Sequence, residues 1–304
     1  MTRTTCHIPV MLKEVLSYLN VAQGGSFLDC TMGGAGHSEE ILKANAANQL
    51  VATDRDARAV ERALIRLAPY GSRVEIKHAK FSEVEDAISG QKFNGMLADL
   101  GISTDQISEQ RGFSFKDPTP LDMRMDETQE ITAATIVNEF SERDLYVTLR
   151  EGGVGNEAKE ICRAIMRARP ISRTDELAQI ISDAVKGRYR EKHVHPATVV
   201  FQALRMKVNN ERGEIDALLN SAPKLVASGG RFVVITFHSI EDKVVTHKMR
   251  AWQQGGAFSA LSPGSRPSKT LGRLVEKKAV APTEAEISEN PSARSARLRI
   301  FEFA

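Results

Sequence analysis

The sequence predicts an α/β chain, a doubly wound, Rossmann-like sheet interrupted by an inserted all-helical domain. Three observations predict it. Short apolar runs alternate with stretches of helical periodicity as far as Asp99. Beyond Asp99 only helical patterns follow. The strand pattern then resumes near the C-terminus at Arg231-Phe232-Val233-Val234-Ile235. Strands that alternate with helices imply right-handed crossovers and a parallel sheet covered on both faces.

The elements follow in order. Val10 to Leu19 is amphipathic. Ser26 to Cys30 reads as a strand that runs into a glycine-dense turn and opens a helix. Leu50 to Thr53 is a second strand, followed by Ala59, Ala63 and Leu67 at helical spacing. Val74 to Ile76 is a short third strand. Ser82 with Glu85 has the spacing of a capping box and starts the next helix there. Met96 to Asp99 is the fourth strand. Helical patterns then cover Ile131–Phe140, Leu145–Arg150, Ala158–Ala168 and Leu177–Val185, punctuated by Pro118, Pro120, Pro170 and the Gly152 to Gly155 stretch. A long helix is expected from Thr198 to Leu219. After the fifth strand, Ser239 with Asp242 caps another helix. A Pro/Ser/Gly-rich stretch spans Gly255 to Lys269. The alternating Arg297 to Phe303 segment is a terminal strand, with Leu271–Lys277 as its hairpin partner. The expected domains are 1–103 with 198–304 for the sheet, and 104–197 for the helical insertion.

The 304 residues are 41% hydrophobic and 26% charged, a globular rather than disordered or fibrous composition. No apolar stretch approaches the ~20 residues of a membrane helix. Met1 to His7 lacks the apolar run and cleavage site of a signal peptide. A cytoplasmic protein with no membrane partner is expected. Cys6, Cys30 and Cys162 are odd in number and far apart, so reduced thiols are expected rather than a disulfide framework or a metal cluster. The net charge of +2 carries no global signal for nucleic acid, so local clusters must carry it.

The chemistry concentrates in Leu28-Asp29-Cys30-Thr31-Met32-Gly33-Gly34-Ala35-Gly36-His37-Ser38. Small residues let a ligand approach the backbone, and the helix start offers free N–H groups. Asp54, at the end of the second strand, is placed to accept hydrogen bonds from both hydroxyls of a ribose. A dinucleotide turn would read G-x-G-x-x-G. From Gly34 the pattern fails at Glu39, which crowds the usual pyrophosphate seat. S-adenosylmethionine has no phosphate, and its methionine end suits polar partners such as His37 and Ser38. Asp99 ends the fourth strand, at the carboxyl edge where doubly wound folds place ligands. It faces either the cofactor's amino-acid end or the target amine, or acts only as a turn acid.

Over nearly its whole length the chain resembles the bacterial 16S rRNA (cytosine-N4)-methyltransferases, the small-subunit rRNA methyltransferase H family. The matching stretches, in order, include His7-Ile8-Pro9-Val10, Gly33 to Ser38, Asp54-Arg55-Asp56, Phe81-Ser82 and Asp99 to Ser103. They continue through Arg111 to Phe115, Pro120 to Asp126, His195 to Thr198, Phe201 to Arg205, Phe237 to Asp242 and Asn290 to Ser295. The resemblance implies an S-adenosylmethionine methyltransferase sheet with an inserted helical domain. It also implies cofactor contacts from Ala35, Gly36, His37, Asp54, Phe81, Asp99 and Gln106, with no metal. Phe81 would lie against the adenine, with Asp99 and Gln106 at the methionine end. The substrate it implies is a cytosine of 16S rRNA in the small ribosomal subunit, near the decoding centre (P site). The residues do not give the oligomeric state, and a homodimer is kept as an expectation. Two departures stand out. Ala35 replaces a glycine of the family's pattern. Gly152 to Asn156 replaces a glycine and paired acids, which predicts a looser loop.

Transfer to N4 needs the amine held ~3 Å from the methyl carbon, with acceptors for its N–H bonds. The acid-or-amide, two-proline, aromatic motif common in amino methyltransferases is absent. Asp99-Leu100-Gly101-Ile102 stands instead, and no catalytic base is assigned. A base taken out of its stack needs walls. Phe113, Phe115 and the Phe237-His238-Ser239 turn are candidates, with His238 either a polar contact or simply a helix cap. Two basic clusters are candidates for rRNA phosphates or solvated faces. One holds Lys186, Arg188, Arg190, Lys192, His193 and His195 around Tyr189. The other holds Arg266, Lys269, Arg273, Lys277 and Lys278, with Arg294, Arg297 and Arg299 beyond. The alternating methionines of Leu121 to Asp126 read as core packing with salt bridges. Three rival readings are a nicotinamide-dependent dehydrogenase, which requires a sixth parallel strand, an amino methyltransferase acting on DNA or protein, and a non-catalytic RNA-binding protein.

Overall fold

A computed structural model describes residues 8–88, 90–186, 195–255 and 269–304. The chain forms two compact units, Met1–Gly101 with Gly213–Ala304, and Ile102–Arg212.

The first unit starts with α1 (Leu12–Leu19), β1 (Ser26–Asp29), α2 (Gly36–Ala44), β2 (Gln49–Asp54) and α3 (Ala57–Leu67). β3 (Val74–His78), α4 (Val84–Ile88) and β4 (Phe93–Asp99) follow. The second unit carries α5 (Thr104–Ser108), α6 (Ala133–Glu139), α7 (Glu142–Glu151), α8 (Ala158–Ala168), α9 (Thr174–Ala184) and α10 (Pro196–Val208). Then α11 (Glu211–Leu225) returns to the sheet, which is completed by β5 (Val226–Thr236), α12 (Ser239–Gln253), β6 (Gly272–Leu274), α13 (Glu284–Glu289) and β7 (Arg297–Phe303).

The seven strands lie in the order β3-β2-β1-β4-β5-β7-β6. The first five are parallel, while β7 runs antiparallel to β5 and β6 antiparallel to β7. The dehydrogenase reading required a sixth parallel strand, and the reversed β7 removes it. Both faces of the sheet are buried, which is why its strands read as continuous apolar runs. Successive residues take opposite faces. Leu28, Met96, Ala98, Phe232, Val234 and Phe301 share one core with Val84 of α4, Leu218 of α11 and Met249 of α12. Phe27, Leu97, Val233, Ile235 and Ile300 share the other with Val15 of α1, Ile41 of α2 and Ala63 of α3.

The helical unit has its own core of Ile136, Leu145, Leu149, Ile161, Ile165, Leu177, Ile181, Phe201 and Leu204. It extends to Arg212, beyond the boundary expected at 197, because α10 buries Ala197, Val200, Phe201, Ala203 and Leu204 in this core. The single helix expected over Thr198–Leu219 is two helices. The break falls at Asn209 and at Asn210, whose φ is 46°. The Asn209 side chain accepts from Met125 N at 2.8 Å and donates to Met123 O at 2.7 Å. Leu121, Met123 and Met125 are buried, with Arg124 paired to Asp122 at 2.8 Å, so this stretch is core and ion pair. The Gly152–Asn156 loop is tied down rather than loose. Arg150 donates to the carbonyls of Val154 (3.0 Å) and Gly155 (2.8 Å), and a Cβ at Gly152 would strike Ala203.

Two expected caps are replaced. At α12 the cap is His238 with Glu241, not Ser239 with Asp242. Ahead of α4, Lys80 with Glu83 closes a short 3-10 turn, while Ser82 binds Glu214 and Glu85 pairs with Lys224 at 2.8 Å. Among the described residues no helix is long and apolar enough to cross a membrane. Cys30 and Cys162 are free and buried, and Cys6 lies outside the described residues.

Candidate active site

The site is built on the carboxyl ends of β1, β2 and β4. β1 delivers Asp29, which is fully buried. One of its oxygens accepts from Thr31 N at 3.0 Å and the other from Ser38 Oγ at 2.7 Å, so the carboxylate clasps both sides of the glycine turn. Thr31 Oγ1 in turn accepts from Asp99 N at 2.6 Å, which links the turn to the end of β4. The turn closes with Ala35 at φ 61°, ψ 23°, the left-handed conformation that disfavours a side chain. The resemblance places a glycine here, and the alanine takes the left-handed conformation all the same. Gly36 follows as the first residue of α2. A Cβ there would come within 2.5 Å of Pro9 Cγ, so the turn is packed under the N-terminal segment. That segment is clamped further by His37 Nε2, 2.9 Å from Val10 O, by Asn290 Nδ2 donating to Ile8 O at 3.0 Å, and by a hydrogen bond from Met11 N to Glu286.

Asp54 ends β2. Its oxygens accept from Gly33 N (2.8 Å) and Asp56 N (2.9 Å), so it shapes the turn as well as edging the site. Burial, assisted by the neighbouring carboxylates of Asp56 and Asp29, pushes its pKa up to about 6 despite those hydrogen bonds. Phe81, partly buried, follows β3 and packs toward the core that holds Val84.

Asp99 is the third acid of the edge. Its Oδ2 lies 3.8 Å from His37 Nδ1, and its Oδ1 is buried with no hydrogen-bond partner among the described residues. Burial holds its pKa well above the usual carboxylate range, and the carboxylates of Asp29 and Glu241 push the same way. Glu241, 2% exposed, accepts from Phe237 N at 2.8 Å and sits 3.0 Å from His238 Nε2. The carboxylates of Asp29 on β1 and Glu241 in the first turn of α12 thus both act on Asp99 at the end of β4.

The structure thus brings together Ala35, Gly36, His37, Asp54 and Asp99 in one unit, with Phe81 just beyond β3. Gln106 lies in the helical unit, 7% exposed, where its Oε1 accepts from Ser103 N at 3.0 Å in the capping box of α5. Phe113 and Phe115 belong to that unit as well. Phe115 packs on His195 (4.8 Å between centroids) and Phe201 (5.0 Å), and Arg111 lies over Phe113. The sequence reading missed Asp29 as the organiser of the turn, although an acid between a strand and a glycine run was the available signal. In the first basic cluster Lys186 is exposed and His195 caps α10, while Arg188, Tyr189, Arg190, Lys192 and His193 lie outside the described residues. In the second, Arg266 lies outside them. Lys269, Lys277 and Lys278 are exposed, Arg273 pairs with Glu302, and Arg299 with Asp242.

Residues 4–304 match the MraW methylase family. The chain belongs to that family. Among its curated relatives, one from Acidobacterium capsulatum is 43% identical, the match covering 97% of this chain and 98% of that relative. One from Synechococcus elongatus is 40% identical over 97% and 94%, and one from Clostridioides difficile 38% over 97% and 98%. All three are named ribosomal RNA small subunit methyltransferase H. The MraW match spans both units, so the helical insertion is part of the family's architecture.

Proposed function

We propose that this MraW-family chain transfers a methyl group from S-adenosylmethionine to the exocyclic N4 of a cytosine in 16S rRNA, near the decoding centre (P site) of the small ribosomal subunit, in the cytoplasm. The observation that carries the cofactor reading is the acid cluster around the unpartnered Asp99 Oδ1. A buried carboxylate oxygen without a donor is costly, and an ammonium relieves it. S-adenosylmethionine carries that ammonium, and it supplies a methyl carbon made electrophilic by its sulfonium.

The chain's own residues do the rest. Asp99 holds the ammonium, Ala35 to His37 offer backbone and ring at the methionine end, and Asp54 accepts from the ribose. Phe81 offers its ring to the adenine, and Gln106 of the helical unit is a further cofactor contact that the resemblance implies. Excluding water and aligning the amine supply most of the rate, since N4 is a weak nucleophile whose lone pair is delocalised into the ring. The rRNA reading is supported by the relatives' name, and the N4 and decoding-centre reading only by the whole-length resemblance that the ordered motifs carry.

Thermal unfolding tests the cofactor. S-adenosylhomocysteine at a hundred times its Kd stabilises the protein by ~2.7 kcal/mol, and NAD at the same concentration leaves the melting temperature unchanged. Stabilisation by NAD alone would overturn the reading.

A further inference from the structure

Of the motif Asn290 to Ser295, the candidate site uses only Asn290, which holds Ile8. The rest forms a 3-10 turn leading into β7 (Pro291–Ser295). Ala293 and Ala296 are anchored in the core at 0% and 2% exposure, which throws Arg294, Ser295 and Arg297 outward. There they border a cavity of about 290 Å³, whose other walls include Phe237, His238, Pro282 and Ile287. Arg297 pairs in register with Thr236, so the cavity opens beside the end of β5. Phe237 forms the inner wall. Its ring lies against Gly101, where a Cβ would sit 3.2 Å from it, two residues beyond Asp99.

Resting on the rRNA reading above, we propose that this cavity seats the single-stranded nucleotide adjoining the methylated one, its base on Phe237, Pro282 and Ile287 and its phosphate on Arg294 and Arg297. The lining combines an aromatic and apolar wall for a base face with guanidinium forks for a phosphate. The volume is near the lower end of the ~300–1,000 Å³ of small-molecule sites, room for one nucleotide. Arg294 is exposed, and Arg297 is held only by one long hydrogen bond to Asp242. Arg294 has no acidic partner among the described residues, and the nearest acid to Arg297, Asp242 at 3.5 Å, already receives two hydrogen bonds from Arg299 at 2.8 and 2.9 Å. No carboxylate or carboxamide side chain lines the cavity to accept from a cytosine amine, so the seat is assigned to the neighbouring nucleotide rather than to the target.

The test is binding of a short single-stranded RNA across a potassium chloride series, for the wild type, Arg294→Gln/Arg297→Gln and Arg294→Lys/Arg297→Lys. Both side chains are exposed, and matching melting temperatures establish that the variants fold. The glutamine pair is expected to weaken binding roughly tenfold, as for one lost charge-assisted contact. It should also flatten the log–log salt slope by about 0.7, one single-strand phosphate. The lysine pair keeps the slope. Equal affinity and slope for the glutamine pair and the wild type overturn the cavity's role. The same proteins, given small ribosomal subunits and labelled cofactor, separate the two claims. Methyl transfer with unaltered RNA binding in the glutamine pair sinks the nucleotide seat and leaves the function standing. Altered binding with no transfer by the wild type does the reverse.

Discussion

Asp99 and Asp54 meet the same physical problem, a carboxylate drawn out of water at a strand end, and the turn answers it differently. Asp54 is given two backbone donors, Gly33 N and Asp56 N. Asp99 keeps an oxygen with no donor at all among the described residues. Asp99→Ala is therefore expected to weaken S-adenosylhomocysteine binding by roughly ten- to a hundredfold, the equivalent of a charged hydrogen bond, in titration calorimetry. The same change removes a buried acid repelled by Asp29 and Glu241, so the unfolding midpoint of the free protein at neutral pH should hold or rise. A fall in both affinity and midpoint would mean that Asp99 is structural. Asp54 adds a pH dependence. In the free protein it titrates near 6, against an ordinary 3.8. Between those values the folded state holds the proton more firmly than the unfolded chain, so stability falls as pH rises across that window. Ribose hydroxyls need the ionised acceptor, so cofactor affinity should climb as pH rises through about 6. Asp54→Asn should abolish that climb in calorimetry between pH 5 and 8. A wild-type affinity flat across that range would remove Asp54 from the ribose site.

The elements were legible where a local pattern decides them and misread where a distant partner does. The sheet strands and α8 stand out as apolar runs or periodic stripes, because both faces of the sheet and one face of the helix are buried. The α12 cap was assigned one residue late because Asp242 has the right spacing from Ser239. Asp242 is instead taken by Arg299, 57 residues away, and His238 caps in its place. The α10–α11 break has the same origin, since Asn209 is tied to the backbone of residues 123–125. Asp242 and Arg299 are 10% and 13% exposed and join α12 to β7. Burial acts to raise the Asp242 pKa, yet the hydrogen bonds and charge of Arg299 outweigh it and hold the carboxyl below its usual value. Asp242→Ala should cost about 3 kcal/mol in urea unfolding at neutral pH by leaving the arginine unpaired. The pair's contribution exists above the ordinary carboxyl value of 3.8. It fades as pH falls through the lower folded value. A cost below about 0.5 kcal/mol would place the pair among solvated surface contacts.

At the scale of the molecule, a chain whose net charge is only +2 separates its charges by task. Acids line the carboxyl edge of the parallel strands, while Arg294 and Arg297 stand at the rim of the neighbouring cavity. Net charge alone shows neither, which is why the glycine turn and the strand-end acids proposed for the cofactor were legible from local spacing while the cavity was not. The cavity gathers residues 237–239, 281–287 and 294–297, and no local spacing joins them. The central claim is methylation of rRNA cytosine at N4. Its most direct test is transfer of label from S-adenosylmethionine to small ribosomal subunits from a strain lacking this protein, followed by nucleoside analysis of the 16S rRNA. The account predicts label in N4-methylcytidine, lost with Asp99→Ala. Label in another nucleoside, or none in rRNA while the cofactor still binds, would contradict it.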